Sequence, residues 1–234
     1  MKKFFLNEIF NQKDELKAKN NMRFYKTGKG QYAEGDIFLG LTYPQIRSIV
    51  KKYYKELCLE DIEDFLNNKY HEIRAGALLA AVLKYKNGSE KEKTDIYNLY
   101  IKNTEKINNW DLVDNSAPYI AGDYAFNFNR KEDLLSLARS GNLWQERISI
   151  VSTLYFIKQG ELDLTFDLSK HFILHKHDLI QKASGWMLRE AGKKDQNKLE
   201  KFLLQNISHL PRTTLRYAIE RFSEEKRKIY LNMK

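Results

Sequence analysis

The sequence is poor in cysteine, proline and glycine, with one, three and eleven respectively in 234 residues. One thiol, Cys58, excludes an internal disulfide and a thiolate metal cage, and it suits a reducing compartment. No apolar run approaches the length that spans a bilayer, so a membrane-embedded chain is excluded as well. The start, "MKKFFLNEIF", has the lysines of a secretory signal, but Asn7 and Glu8 interrupt the apolar run before a usable hydrophobic region forms. A cytoplasmic protein is expected. Its length is sufficient to bury a core without disulfides or metal.

What is abundant is positive charge. Forty Lys and Arg against 31 Asp and Glu give +9 and a pI near 9.3, a balance that attracts polyanions. Charge alone also fits a merely soluble basic protein, so the placement of the cations has to decide.

With so few breakers, most windows show apolar residues three and four apart, an all-helical pattern. In "LWQERISIVSTLYFIKQG", Ile148, Val151, Leu154 and Tyr155 form one stripe, with Gln145, Glu146 and Ser149 off it, and Gly160 is placed to cap the end. "DLIQKASGWMLREAGKKD" behaves alike and stops at Gly192, followed by two lysines that complement the helix dipole. Aligning helices by their first polar anchor places Arg74, Trp110, Arg147, Lys182 and Arg216 at intervals of 36, 37, 35 and 34 residues. Each interval holds a shorter and then a longer helix, as in an all-α HEAT-like solenoid, here read as a single domain over 1–234. Four of the five anchors are basic, which predicts a positive stripe along one surface.

One segment departs from the pattern. "YKTGKGQYAEGDIFLG", residues 25–40, carries Gly28, Gly30, Gly35 and Gly40 and reads as a long loop or short hairpin near residues 27–38. Its "GKG" lacks the spacing of a phosphate-binding loop. Lys29 at a glycine-rich tip is a candidate phosphate contact, and a solvated turn is the alternative.

The stretch "NNWDLVDNSAPYIAG" is unusual for a core helix. Trp110 and Asp114 are four apart and share a face, while Asp111 points elsewhere. A carboxylate beside an indole in a cationic setting is suited to stabilising positive charge that develops on a bound group, such as a deoxyribose losing its base. The plainer reading of such acids is a favourable interaction with the helix dipole. Trp186, with Arg189 three residues on, adds a second aromatic and cation, although a lone Trp usually packs in a core.

These motifs bear a resemblance. "WDLVD" with "APYIAGD", "NLWQERISI", "QKASGWMLREAGK" and, more weakly, "MRFYK" with "FLGLTYPQIR" are similar to the HEAT-like-repeat DNA glycosylases of the AlkD type, from about residue 22 to 222. The resemblance implies an enzyme that excises N3- and N7-alkylated purines from double-stranded DNA by N-glycosidic hydrolysis, without flipping the base and without a cofactor. It assigns Asp114 as the catalytic carboxylate, Trp110 and Trp186 as deoxyribose contacts, Arg147 as the holder of the adjacent phosphate, and Tyr25 as a residue near the DNA. Arg74, Lys182, Arg189 and Arg216 complete the expected DNA-binding set, in a monomer that joins the nucleoid when on DNA. Two features depart from the family: Asn109 replaces a second Trp, and the loop at 27–37 is longer. Relatives with inserted hairpins bind branched or distorted DNA with little excision, so a non-catalytic binder is the alternative, and a protein-binding scaffold a third.

"HFILHKH" places His171 and His175 on one helical face, with His177 nearby, a possible metal pair, but without the HExxH glutamate no metal is expected. Cys58 has no evident base partner, and the run "SEEKRKIYLNMK" mixes signs like a solvated helix end.

Overall fold

A computed structural model describes residues 1–233, and among the described residues every regular element is helical. The all-α repeat class expected from the periodicity is the one adopted. An isolated parallel bridge, Ile37 to Tyr70, lies outside the helices. The chain divides into two compact units, Met1–Ile120 and a second from Ala121 onward.

The first unit comprises α1 (Lys2–Asn11), α2 (Glu15–Phe24), α3 (Tyr43–Tyr53), α4 (Leu59–Leu66), α5 (His71–Asn87), α6 (Glu90–Lys102) and α7 (Trp110–Asp114). Short polar side chains set the helix starts. Asp14 accepts from the Lys17 amide before α2, Ser89 and Glu92 form a capping box before α6, and Asn109 accepts from the Trp110 amide at α7. The centre is α5, on which α3, α4, α6 and α7 pack. Its residues 71–80 are all buried, including His71, Glu72 and Arg74. Around it Phe5 stacks on Phe65 at 4.9 Å, and Ile46, Ile49 and Leu66 are fully buried in the same unit.

The second unit comprises α8 (Asp123–Asn127), α9 (Lys131–Ala138), α10 (Leu143–Lys158), α11 (Asp163–His171), α12 (Asp178–Gly192), α13 (Gln196–Asn206), α14 (Arg212–Ala218) and α15 (Glu224–Asn232). Gly160 caps α10 at φ +87°, and α12 ends at Gly192, both where the sequence predicts. The amphipathic reading of α10 needs correction. Glu146 and Ser149, expected off the buried stripe, are buried too, because α8, α9, α11 and α12 all pack on this one helix.

The five anchors each fall in the first five residues of a helix, in α5, α7, α10, α12 and α14. Shorter precedes longer in α4/α5, α9/α10 and α11/α12, but the order is reversed in α6/α7 and α13/α14. For α7 the cause is local: Pro118 has no N–H to donate to the Asp114 carbonyl, so the helix stops at Asp114. That stop leaves Trp110 and Asp114 at the two ends of a single short helix.

The segment at 27–38 forms a loop of successive turns, and the hairpin alternative is not adopted. Its tip is held by local bonds, from the Gly28 amide to Gln31 and from the Gly30 amide to Glu34, while Asp36 and Ile37 bond to α5 and the far end is pinned against α2. There Gly40 takes φ +91°, and a Cβ on it would lie 2.1 Å from the Asp14 carbonyl oxygen, a place for glycine alone.

A comparable close approach joins α12 to α14. A Cβ at Gly185 would stand 2.5 Å from Tyr217 Cβ and 2.6 Å from the Thr214 carbonyl oxygen, neither of which can swing aside. Gly185→Ala is therefore expected to force the helices apart and cost about 1–3 kcal/mol, read as a lowered thermal midpoint. An unchanged midpoint would show that the two helices part without penalty.

Candidate active site

The chemistry predicted for "WDLVD" has an unexpected foundation. Trp110, partly exposed at the start of α7, lies face to face with Tyr25, the ring centroids 5.4 Å apart and the planes 18° apart. Tyr25 stacks in turn on Phe38 at 4.9 Å, and Phe38 on the His71 imidazole at 4.5 Å. Tyr25 also meets the imidazole directly, at 5.1 Å and 38°, so the four rings from α7, the end of α2, the loop and α5 form one cluster in which Tyr25 joins Trp110 to both Phe38 and His71. Phe24, 63% exposed, meets Trp110 edge to face at 5.9 Å. The helix α2 ends at Phe24, and Phe24 meets Tyr25 edge to face at 5.1 Å, so the two neighbours brace the indole together, one by its face and one by its edge.

Beside this cluster is a buried ionic network. His71 Nε2 is 2.8 Å from Asp111 Oδ2, and His71 Nδ1 is 3.2 Å from Asp36 Oδ2. The Tyr43 hydroxyl donates to the same Asp111 oxygen at 2.9 Å. Arg74 donates to Asp36 at 2.6 Å, to the Asn68 carbonyl at 3.0 Å and to Asn108 at 3.2 Å. Glu72 accepts from the Leu39 and Gly40 amides, which ties the loop end to α5. Burial alone would pull the His71 pKa down, but the Asp111 charge and the hydrogen bonds to Asp111 and Asp36 outweigh it and raise it to about 9. Burial pushes the Asp36 pKa up, yet the His71 hydrogen bond and the Arg74 charge hold it below its usual value. Asp36 and the imidazole are therefore both charged at neutral pH. Burial, and then the Asp111 carboxylate, raise the Tyr25 and Tyr43 hydroxyls well above their ordinary values.

Asp114 is partly exposed at the other end of α7. Asp111, one residue after Trp110, faces away from the Trp110–Asp114 side as the helical register requires; that other side is inward, and Asp111 joins α7 to the network. Asn109 is fully buried and caps α7.

In the second unit Trp186 is partly exposed on α12, next to the close-packed Gly185. Arg147 is 5% exposed and donates to the Leu179 carbonyl at 2.6 Å. The picture of one exposed basic stripe is corrected here. Arg74 and Arg147 are drawn inward to backbone carbonyls, Arg74 also to an acid, and Lys182 pairs with Asp178 at 2.7 Å, leaving Arg216 as the exposed member of the four. Arg189 is engaged with Glu190 and Glu220. Lys29 is exposed on the loop. Arg74, with its polar contacts inside the fold, is a structural cation in this molecule and not a surface one. The histidines of "HFILHKH" are engaged separately: His171 with the Ala138 carbonyl, His175 with Glu146, and His177 as the cap of α12.

The description of DNA alkylation repair enzymes matches residues 6–222. The chain belongs to this family. A solved structure from Enterococcus faecalis, described as a predicted DNA alkylation repair enzyme, shares 18% identity and a TM-score of 0.73, over 91% of this chain and 98% of that one. At that identity the likeness is one of fold. No curated protein matches the chain. Membership of the DNA alkylation repair enzymes makes DNA the partner, and among the described residues no helix is long and apolar enough to cross a membrane.

Sequence reasoning passed over Phe24, Phe38, Tyr43, Asp36, His71 and the inward role of Asp111. One signal was available: "HEIRAG" opens an otherwise apolar helix with three ionisable residues, which a buried helix start tolerates only if each finds a partner.

Proposed function

We propose that the protein is a DNA glycosylase that hydrolyses the N-glycosidic bond of cationic N3- and N7-alkylated purines in duplex DNA. The observation that supports this is the pairing on α7 of a braced, partly exposed indole with a partly exposed carboxylate one turn later. An indole face packs against a deoxyribose, and a carboxylate held beside it stabilises the oxocarbenium character that builds as the base departs. The alkylated purine is already a cation and leaves as a neutral base. Little further acid catalysis is needed, and the base need not be turned out of the stack. In the same reading Trp186 supplies a second sugar contact. Arg147, anchored to the Leu179 carbonyl, takes the contact to the adjacent phosphate in this reading.

The test is base release from a duplex carrying one N7-methylguanine, compared with the unmodified duplex. Release from the modified strand alone is expected. Tight binding to branched DNA with no release would favour a non-catalytic DNA-structure binder instead.

A further inference from the structure

We propose that His71, clamped between Asp36 and Asp111, is the positioning residue that sets the exposed face of Trp110. The inference rests on the reading of Trp110 as the sugar-contacting face, and it concerns what holds that face in place.

The argument is geometric. Two separate routes run from His71 to Trp110. One goes through ring contacts: the imidazole meets Tyr25 directly at 5.1 Å and also through Phe38, at 4.5 and 4.9 Å, and Tyr25 lies against Trp110 at 5.4 Å with the planes 18° apart. The other goes through Asp111, bonded to His71 Nε2 at 2.8 Å and joined covalently to Trp110 as its neighbour on α7. The two routes close a loop, so a displacement of the imidazole moves both the support under the indole and the backbone that bears it. A five-residue helix has little internal rigidity of its own, and α7 makes its inward polar anchor through Asp111. Both His71 nitrogens face carboxylates, so the ring donates from both only when protonated.

The charged groups around His71 define what its proton does. Asp111 from α7 and Asp36 from the loop favour the imidazolium, as does their hydrogen bonding, while Arg74 on its own helix opposes it. Glu72, also on α5, is occupied by the Leu39 and Gly40 amides, and Tyr25 and Tyr43 stay neutral well beyond the ordinary tyrosine range. With the folded-state value raised from 6.5 to about 9, the bond pair is complete below the unfolded value and is lost as pH rises through about 9. Above that point His71 can donate to only one acid, and the other carboxylate is left facing an acceptor.

The experiment uses the full chain labelled with 5-fluorotryptophan and followed by fluorine NMR from pH 6 to 10, with the Trp110 signal assigned by Trp110→Phe. The expected result is a Trp110 resonance that shifts with a midpoint near 9, without a parallel shift of Trp144 or Trp186, and that loses this titration in His71→Gln. At pH 7 the His71→Gln signal should match that of the wild type at pH 10. A Trp110 signal that stays fixed over this range, or that titrates equally in His71→Gln, overturns the proposal. Should His71→Gln not fold, Asp111→Asn breaks the same clamp from the other side and should move the midpoint down by at least one pH unit; an unmoved midpoint counts against the proposal. No DNA is involved, so the result stands whether or not the protein releases alkylated bases.

Discussion

Asp114→Asn is expected to reduce release of N7-methylguanine by at least about 100-fold, with affinity for the same duplex little changed. The substitution preserves size and hydrogen-bonding shape and removes one negative charge. Preorganised charge aimed at where charge develops in a transition state is worth roughly 10²–10³ in rate. The ground state has no such demand: the sugar is neutral before the bond stretches, so binding should be nearly indifferent to the change. Single-turnover release at saturating protein, set beside a binding titration, separates the two quantities. Equal loss of rate and affinity would mean that Asp114 shapes α7 and does not act on the sugar. Equal release by wild type and variant would remove the catalytic assignment. The location of Asp114 favours a loss of rate with affinity retained, because Asp111 and Asn109 already hold α7 from the inside and leave Asp114 at the partly exposed end.

The contrast between Asp111 and Asp114 also shows what was legible in the sequence. Helical spacing separates the two acids onto different faces, and the capping glycine at 160 and the stop at 192 follow from local rules that need only a few neighbouring residues. The repeat period was readable for the same reason, since each repeat restates its own helix pattern. What was not readable was where each face points. His71 is 35 residues from Asp36 and 40 from Asp111, and nothing within a helical turn of any of them announces the others. The basic anchors misled for a related reason. Their spacing is a property of the repeat, but whether a cation at that register faces solvent or reaches inward to an acid or a carbonyl depends on the tertiary neighbour. Tyr25 and Phe24 present the same difficulty on the smallest scale: adjacent aromatics at a helix end, of which one became the support and the other the exposed edge.

Arg74→Ala provides the sharpest test of that lesson. Read from its spacing, Arg74 is a phosphate contact, and its loss should weaken DNA binding and lower the salt dependence by about 0.9 in log–log slope. Read from its surroundings, the guanidinium is 5% exposed and bonded to Asp36, the Asn68 carbonyl and Asn108. Removing it would leave the Asp36 carboxylate buried with His71 as its remaining cation, while His71 is already shared with Asp111. Truncating one partner of a buried ion pair typically costs about 3–5 kcal/mol. The expected result is a fall in the urea midpoint of at least about 1 M, with the salt slope of duplex binding unchanged under conditions where the variant remains folded. The opposite pattern, a retained midpoint and a reduced slope, would put Arg74 on the DNA after all. Because His71 shares Asp36 with Arg74, the same variant should also disturb the clamp, so a loosened Trp110 in a still-folded Arg74→Ala protein would connect the stability of the buried charges to the geometry of the indole they support.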